Sequence, residues 1–165
     1  MSIIEILLKE YEQEAQTTRK FLAIVPEDQY DYKPHPKSMS LKQLATHVAE
    51  LPEWVEMAIS TDGLDFAANP YNPVKVDNTA DLVAYFEKTY QKGLVALRSA
   101  SEDILKQRWV LSNGDQILFD QTKYDTVRVS LSQTTHHRAQ LGVYLRLLNI
   151  PIPGSYGPSA DELGL

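Results

Sequence analysis

The chain contains no cysteine among its 165 residues. Disulfides and thiolate metal ligands are therefore excluded, and any metal ion must be bound by nitrogen and oxygen atoms. An excess of positive charge is also absent, since 16 Lys and Arg stand against 22 Asp and Glu, for a net charge of -6. Because proteins bind nucleic acid through clustered Lys and Arg side chains, we expect no nucleic-acid partner.

Long hydrophobic runs are absent as well. The first apolar cluster, IIEILL, is interrupted by Glu5 and followed by charged residues, unlike a signal peptide. No apolar run approaches the roughly 20 residues that a transmembrane helix needs. We therefore expect a soluble, cytoplasmic protein with no membrane partner. Hydrophobic residues make up 43% of the chain and charged residues 23%, as in ordinary globular proteins, and this length predicts a single domain over residues 1–165.

Amphipathic periodicity is the strongest structural signal in the chain, and it predicts four helices. Ser2 followed by Glu5 is a capping-box pattern, and apolar residues recur at helical spacing from there up to Pro26. A second capping box, Ser40 with Gln43, predicts the start of the second helix. The segment between these helices contains three prolines and several turn formers, which predicts an irregular connection.

The other helix boundaries also have local signals. Pro52 is expected to bend the second helix about one turn back, because proline removes a backbone donor. Asn78 or Thr79 is expected to cap the third helix. The fourth helix should begin near Thr122 and end around Asn149, before a proline.

Turn-forming residues mark the longer connections. Residues 61–77 are rich in Gly, Asn, Pro and Asp, which predicts a long surface loop. Asn113-Gly114 lies between two short β-prone runs and predicts a hairpin. Together these patterns predict an all-α protein, a four-helix bundle with long crossover connections and a small β-hairpin before the last long helix.

Histidine and glutamine positions on two of these helices suggest a metal site. His47 lies three residues after Leu44 and four before Leu51, on or beside the buried stripe of the second helix. Gln133 and His137 are one turn apart on an apolar face of the fourth helix. Two inward-facing positions one turn apart, joined by a histidine from another helix, are a common way to build a metal site in a bundle.

Each polar residue near this pattern also has a structural interpretation. His136 lies about 100° around the helix from His137, so both cannot aim at one centre, and it either packs at the surface or lines a pocket mouth. Glu50 is either an acceptor for a ligating imidazole or a solvated carboxylate. Arg138 and Gln140 are candidates to orient an anionic substrate, although surface pairing explains Arg138 as readily.

Two further observations limit the chemistry. Tyr144 fits a core position better than a proton donor, although it remains a candidate for the substrate pocket together with Glu50, His136 and Gln140. A histidine on an apolar face is itself more often a hydrogen-bonded core residue than a ligand. No Ser/His/Asp order, P-loop or glycine-rich nucleotide motif appears, so those mechanisms have no motif support.

Three segments, in order and separation, resemble one family. SMSLKQLATHVAE, HHRAQLGVYLR and IPIPGSYGPSADE are similar to the DinB/YfiT-like superfamily of bacterial metalloenzymes, and the resemblance runs over nearly the whole chain. Its most specific part is a helix-two histidine paired with the HHR-x-Q segment. The resemblance implies a four-helix bundle that binds a divalent metal, with Zn²⁺ or Ni²⁺ as the leading candidates, and it makes a homodimer an expectation.

Carried over by position, the resemblance implies three metal ligands: His47, Gln133 and His137. Relatives usually have a second histidine at the middle position, and some, such as mycothiol-dependent maleylpyruvate isomerase, look to use glutamate there. Glutamine is neutral and a weaker ligand, so affinity should fall even if the geometry survives. Three protein ligands leave a position for water or substrate, as in catalytic sites.

Three hypotheses about function follow. The first is a metal-dependent enzyme with hydrolase-like chemistry, or transfer of a low-molecular-weight thiol cofactor, on a small-molecule substrate. The second is a metal-free bundle whose pocket binds a small apolar ligand. The third is a structural or oligomerising protein with a degenerate site. Residues 61–77 and the tail from Pro151 are the best candidates to cover a pocket.

Overall fold

A computed structural model describes residues 1–165, which form a mostly helical protein with a small three-stranded sheet. None of its helices combines the length and hydropathy of a membrane span. The elements in chain order are α1 (Ile3–Leu22), α2 (Leu41–Glu50), α3 (Glu53–Ser60), β1 (Gly63–Asp65), α4 (Thr79–Ser99), α5 (Glu102–Leu105), β2 (Arg108–Asn113), β3 (Gln116–Thr122) and α6 (Lys123–Leu147).

The predicted helix starts are confirmed. Ser2 and Ser40 each form the expected capping box. Asn78 is the residue that caps α4, where its side chain accepts a hydrogen bond from the backbone N–H of Asp81. Thr122 caps α6. These side-chain oxygens satisfy N–H groups that have no partner within the helix, which fixes where each helix begins.

Pro52 divides the predicted second helix into α2 and α3 rather than only bending it. Thr89 donates to the carbonyl of Ala49 at 2.6 Å, and Ser130 donates to the carbonyl of Leu51 at 2.8 Å. The carbonyl of Pro52 accepts from a tyrosine of α1 at 3.2 Å. Side chains of α1, α4 and α6 thus replace the hydrogen bonds that a helix break removes.

The sheet differs from the prediction in one strand. The predicted hairpin is confirmed as β2 and β3, and Gly114 in its turn has a φ of 58°. The predicted loop over residues 61–77 is wrong at its start, because β1 pairs in parallel with β2. A Cβ atom at Gly63 would lie 2.3 Å from the carbonyl oxygen of Val110, so glycine permits this close approach.

The helices share one hydrophobic core. Both α4 and α6 pack against α1 and also against the α2–α3 pair. A cluster of 28 buried hydrophobic side chains fills the space among them. Because α2 packs directly on α6, residues near the middle of these two helices are brought within side-chain reach of each other.

Candidate metal centre

The imidazole rings of His47 and His137 meet across the contact between α2 and α6. Their ring centroids are 4.5 Å apart and the ring planes are 79° apart, an edge-to-face arrangement. Both residues are only partly buried. The structure therefore brings together the two histidines that the sequence had paired, at a place that small solutes can reach.

Each of these rings is held through one nitrogen by a side chain three residues further along its own helix. The Nδ1 of His47 lies 2.6 Å from Oε1 of Glu50, and the Nδ1 of His137 lies 2.9 Å from Oε1 of Gln140. Nδ1–H donation to such an acceptor leaves Nε2 as the nitrogen with a free lone pair. This is the arrangement in which proteins present histidine to metal ions.

Glu50 is hydrogen-bonded to His47 and is not a solvated carboxylate, whereas its role as acceptor for a ligating imidazole stays a prediction. Only 12% of its side chain is exposed. Its second oxygen, Oε2, accepts a hydrogen bond of 2.9 Å from the hydroxyl of Tyr71. Burial of that hydroxyl, together with its bond to Glu50, raises the pKa of Tyr71 to about 12. No pattern in the sequence pointed to Tyr71, because this residue lies in the long connection between β1 and α4.

The third predicted ligand, Gln133, and the predicted pocket residue His136 lie on the exposed side of α6. Gln133 is solvent-exposed, one turn before His137. The exposed His136 ring stands 4.8 Å from the His137 ring. Burial lowers the pKa of His137, and the neighbouring His47 and His136 rings lower it further, against the opposing effect of its hydrogen bond to Gln140. No three His, Asp or Glu side chains are arranged to hold a metal ion together.

A cleft of about 1070 Å³ opens beside His47 and Glu50. It is bounded by α2, α3 and residues 64–75, so the predicted covering role of the 61–77 segment has a structural basis. Three predicted pocket residues are not part of its wall. His136 is on the surface and Gln140 holds His137, while Tyr144 is buried with its hydroxyl donated to the carbonyl of Met39, as its core assignment predicted.

The position of Arg138 differs most clearly from its predicted one. It was expected to pair at the surface or to orient a substrate, but it is only 2% exposed. Its Nη1 lies 2.6 Å from the Oε2 of Glu14 and donates to Thr18. Its Nη2 donates to the hydroxyl of Tyr156, which in turn donates to Glu14. The tail from Pro151 is thereby attached to α1 and α6.

A sequence signal for this buried pair does exist. On α1, Glu14 and Thr18 continue the buried stripe that includes Leu7 and Tyr11. Arg138 likewise falls on the buried stripe of α6, together with four other members spaced three or four residues apart: Ser130, Thr134, Leu141 and Leu145. The helical spacing of the two residues, taken without regard to their polarity, predicts that Arg138 and Glu14 are buried.

Comparisons with known proteins agree with this fold. The Bacillus subtilis (strain 168) protein YrdA, itself uncharacterized, is 25% identical over 96% of this chain and 91% of its own length. A DinB-like protein from Bacillus subtilis superimposes with a TM-score of 0.71 at 19% identity, covering 90% of this chain and 96% of that one. Another, from Bacillus cereus ATCC 10987, gives 0.70 at 16%, covering 92% and 97%.

The two structural likenesses lie below 25% identity and show a shared fold. Membership rests on the sequence itself, because the model of the DinB family matches residues 1–163. The chain therefore belongs to the DinB family.

Proposed function

We propose that His47, Gln133 and His137 bind a divalent metal ion, with Zn²⁺ or Ni²⁺ as the best candidates, and that the protein is a metal-dependent enzyme. The observation that carries this proposal is the pair of imidazoles 4.5 Å apart, each with Nδ1 held by a side chain of its own helix. Two neighbouring imidazoles whose Nε2 atoms remain free are the minimal donor set for such an ion.

The third donor determines how tightly a metal would bind. The carboxamide oxygen of Gln133, one turn before His137, is the nearest position to which the family pattern points. A neutral amide oxygen can coordinate a divalent metal, but it is a weaker ligand than imidazole or carboxylate. We therefore propose weak, exchangeable metal binding and an open coordination position for substrate.

The helical frame supports this assignment. We infer that α1, the broken α2–α3 unit, α4 and α6 form a four-helix bundle and one domain, because α4 and α6 each contact both of the other members. Bundles commonly build metal sites from side chains on facing helices. His47 and His137 come from such a facing pair.

Glu50 and Gln140 would orient the ligands in this scheme. Each accepts the Nδ1–H of its histidine, which fixes the tautomer and prevents the ring from rotating. Glu50 adds negative charge beside His47, and this favours a cation there. A divalent metal bound at this place would lower the pKa of a coordinated water or thiol. We propose hydrolase-like chemistry first and transfer of a low-molecular-weight thiol second.

A second candidate function is metal-free binding of a small ligand in the cleft. It is favoured by one observation, namely that the histidine pair lacks a third His, Asp or Glu partner. Under this alternative, the Glu50 hydrogen bond would only hold His47 as part of the cleft wall. The first function requires a bound metal ion, whereas the second does not.

Elemental analysis after zinc or nickel repletion separates the two. Wild type, Gln133→His and His47→Ala are purified alike and dialysed to equilibrium against the same zinc or nickel buffer, because a weakly bound ion would be lost on desalting. The proposal expects partial loading of wild type, higher loading of Gln133→His and loss of loading in His47→Ala. If neither wild type nor Gln133→His retains metal, the enzyme proposal fails and the metal-free alternative takes its place. His35→Ala, an exposed loop histidine, is the matched control and should load like wild type.

A further inference from the structure

The wall of the cleft beside His47 includes four aromatic side chains and two methionines among its 19 residues. Its volume, about 1070 Å³, is in the range of small-molecule sites. Side chains with aromatic rings come from both of its sides: Trp54 from α3, Phe66 and Tyr71 from the connection after β1, and Tyr85 from α4. Flat ring faces in this arrangement favour a flat apolar ligand, because offset and edge-to-face ring contacts add to the burial of area.

The lysines at the cleft rim are engaged with partners outside it. The Nζ of Lys75 lies 2.9 Å from a carboxylate oxygen of Asp77. The Nζ of Lys42 stands 5.6 Å from the ring centroid of Tyr30. Neither Asp77 nor Tyr30 belongs to the cleft wall. A ligand carboxylate or phosphate would therefore have to compete with Asp77 for Lys75 and draw Lys42 away from the Tyr30 ring.

The carboxylates of the cleft are also occupied. Glu53 forms an ion pair with Lys92, which lies outside the cleft wall. Both oxygens of Glu50 accept hydrogen bonds, one from His47 and one from Tyr71. A ligand ammonium would have to compete with these bonds. Because burial of a charge without a partner is costly, the wall disfavours ligands of either sign.

We propose that this cleft binds an uncharged aromatic small molecule of one or two rings, stacked among Trp54, Phe66, Tyr71 and Tyr85. The inference deepens the proposed function, since it names the substrate class for the site at His47. Binding of the aromatic ligand depends only on the cleft and does not require a bound metal ion. Anionic metabolites and charged amines are correspondingly poor ligands.

Isothermal titration calorimetry with three naphthalene probes at pH 7 tests this proposal on metal-free full-length protein. The probes are 2-naphthol, 2-naphthoate and 2-naphthylmethylammonium, which share a ring system and differ in charge. We expect 2-naphthol to bind at least about tenfold more tightly than either ion, a difference of about 1.4 kcal/mol. Equal or tighter binding of either charged probe would overturn the proposal.

Cleft variants locate the binding. Trp54→Leu removes a partly buried ring, and Tyr71→Ala removes an exposed one. Both should weaken 2-naphthol binding several-fold, whereas Phe119→Leu, an exposed aromatic on β3 outside the cleft, should leave it unchanged. Wild-type affinity in both cleft variants would refute the assigned site. If the protein binds 2-naphthol but no zinc, only the metal proposal is refuted. If it binds zinc but no 2-naphthol, only the proposal of an aromatic ligand is refuted.

Discussion

His137 and Arg138 are adjacent on α6 but occupy different environments. Arg138 faces α1, is almost fully buried, and contacts Glu14, Thr18 and Tyr156. His137 faces α2, is half-buried and has a single hydrogen bond, to Gln140. Protein groups accept hydrogen bonds from both terminal nitrogens of Arg138, so this side chain is saturated by protein partners. One ring nitrogen of His137 has no hydrogen-bond partner.

This difference separates a structural polar cluster from a candidate functional one. A buried charge is tolerated only when protein groups satisfy it, so saturation indicates a role in holding elements together. A half-buried imidazole that is oriented but not saturated keeps a lone pair for a ligand. We expect substitutions on the Arg138 side to change stability and those on the His137 side to change binding.

The largest effect is expected from Arg138→Met. Without the guanidinium, the Glu14 carboxylate is left buried and Tyr156 loses a partner, so the free energy of unfolding should fall by about 3–5 kcal/mol. Urea denaturation measures this change. His137→Ala, at the next residue, should lower the free energy of unfolding by no more than about 1 kcal/mol, as for most substitutions away from buried polar networks.

A double variant tests the physical reason. Replacing both members of the pair, in Glu14→Leu with Arg138→Met, removes the uncompensated charge and should recover much of the lost stability. If Arg138→Met alone is as stable as wild type, the cluster has no structural role. In that case the contrast between the two neighbouring residues would be wrong.

The second largest effect is expected on metal affinity. Glu50→Gln removes the charge that accepts the Nδ1–H of His47, so zinc affinity should fall about 10–100-fold. Competition with a chromogenic chelator measures the change. Glu53→Gln is the matched control, because Glu53 pairs with Lys92 and touches neither histidine. Equal losses in the two variants would show that general negative charge, and not orientation of His47, is responsible.

The sequence predicted local features better than long-range ones. The helix caps and the Asn113-Gly114 turn depend on a few neighbouring residues, and all are present in the structure, whereas the bend predicted at Pro52 is instead a break between two helices. The meeting of His47 with His137 followed from periodicity and family resemblance. Other features that depend on distant partners were not predicted.

Two examples show why. β1 is only three residues long and pairs in parallel with a strand about 45 residues away, so nothing in its own sequence distinguishes it from loop. Arg138 was misassigned because arginine is usually exposed, although its position on the buried stripe was visible. Residue type outweighed periodicity in the prediction, whereas the packing of α1 on α6 determined the outcome.

A smaller effect on metal binding is expected from Tyr71→Phe. The lost hydroxyl donates to Oε2 of Glu50, two hydrogen bonds away from the Nε2 of His47. Zinc affinity should fall about two- to fivefold, less than for direct loss of an outer partner. Tyr85→Phe removes the other tyrosine hydroxyl of the cleft, which has no hydrogen bond to Glu50, and should leave zinc affinity unchanged. A larger loss in Tyr85→Phe would break the proposed connection from the loop to His47.

The smallest effect is expected at the second attachment of the tail, the ion pair between Arg146 and Asp161. This ion pair is more exposed to solvent than the Arg138 cluster. The Arg146 guanidinium and the backbone N–H of Ile152 lower the pKa of Asp161 to about 2, below its usual value of 3.8. Because the pKa is lowered in the folded state, this pair stabilises the tail above about pH 4 and ceases to do so as the pH falls towards 2. The midpoint of thermal unfolding is compared between wild type and Asp161→Asn.

The difference between the two curves isolates this one group, since every other carboxylate titrates in both proteins. Wild type should be slightly more stable than Asp161→Asn near pH 5, and the difference should shrink steadily as the pH falls to 2 and below. The difference should also shrink in high salt, because exposed ion pairs are screened, whereas the loss caused by Arg138→Met should not. A gap between wild type and Asp161→Asn that persists at low pH or in high salt would mean that the exposed pair behaves like the buried one. The distinction between a solvated attachment at Arg146 and a saturated one at Arg138 would then fail.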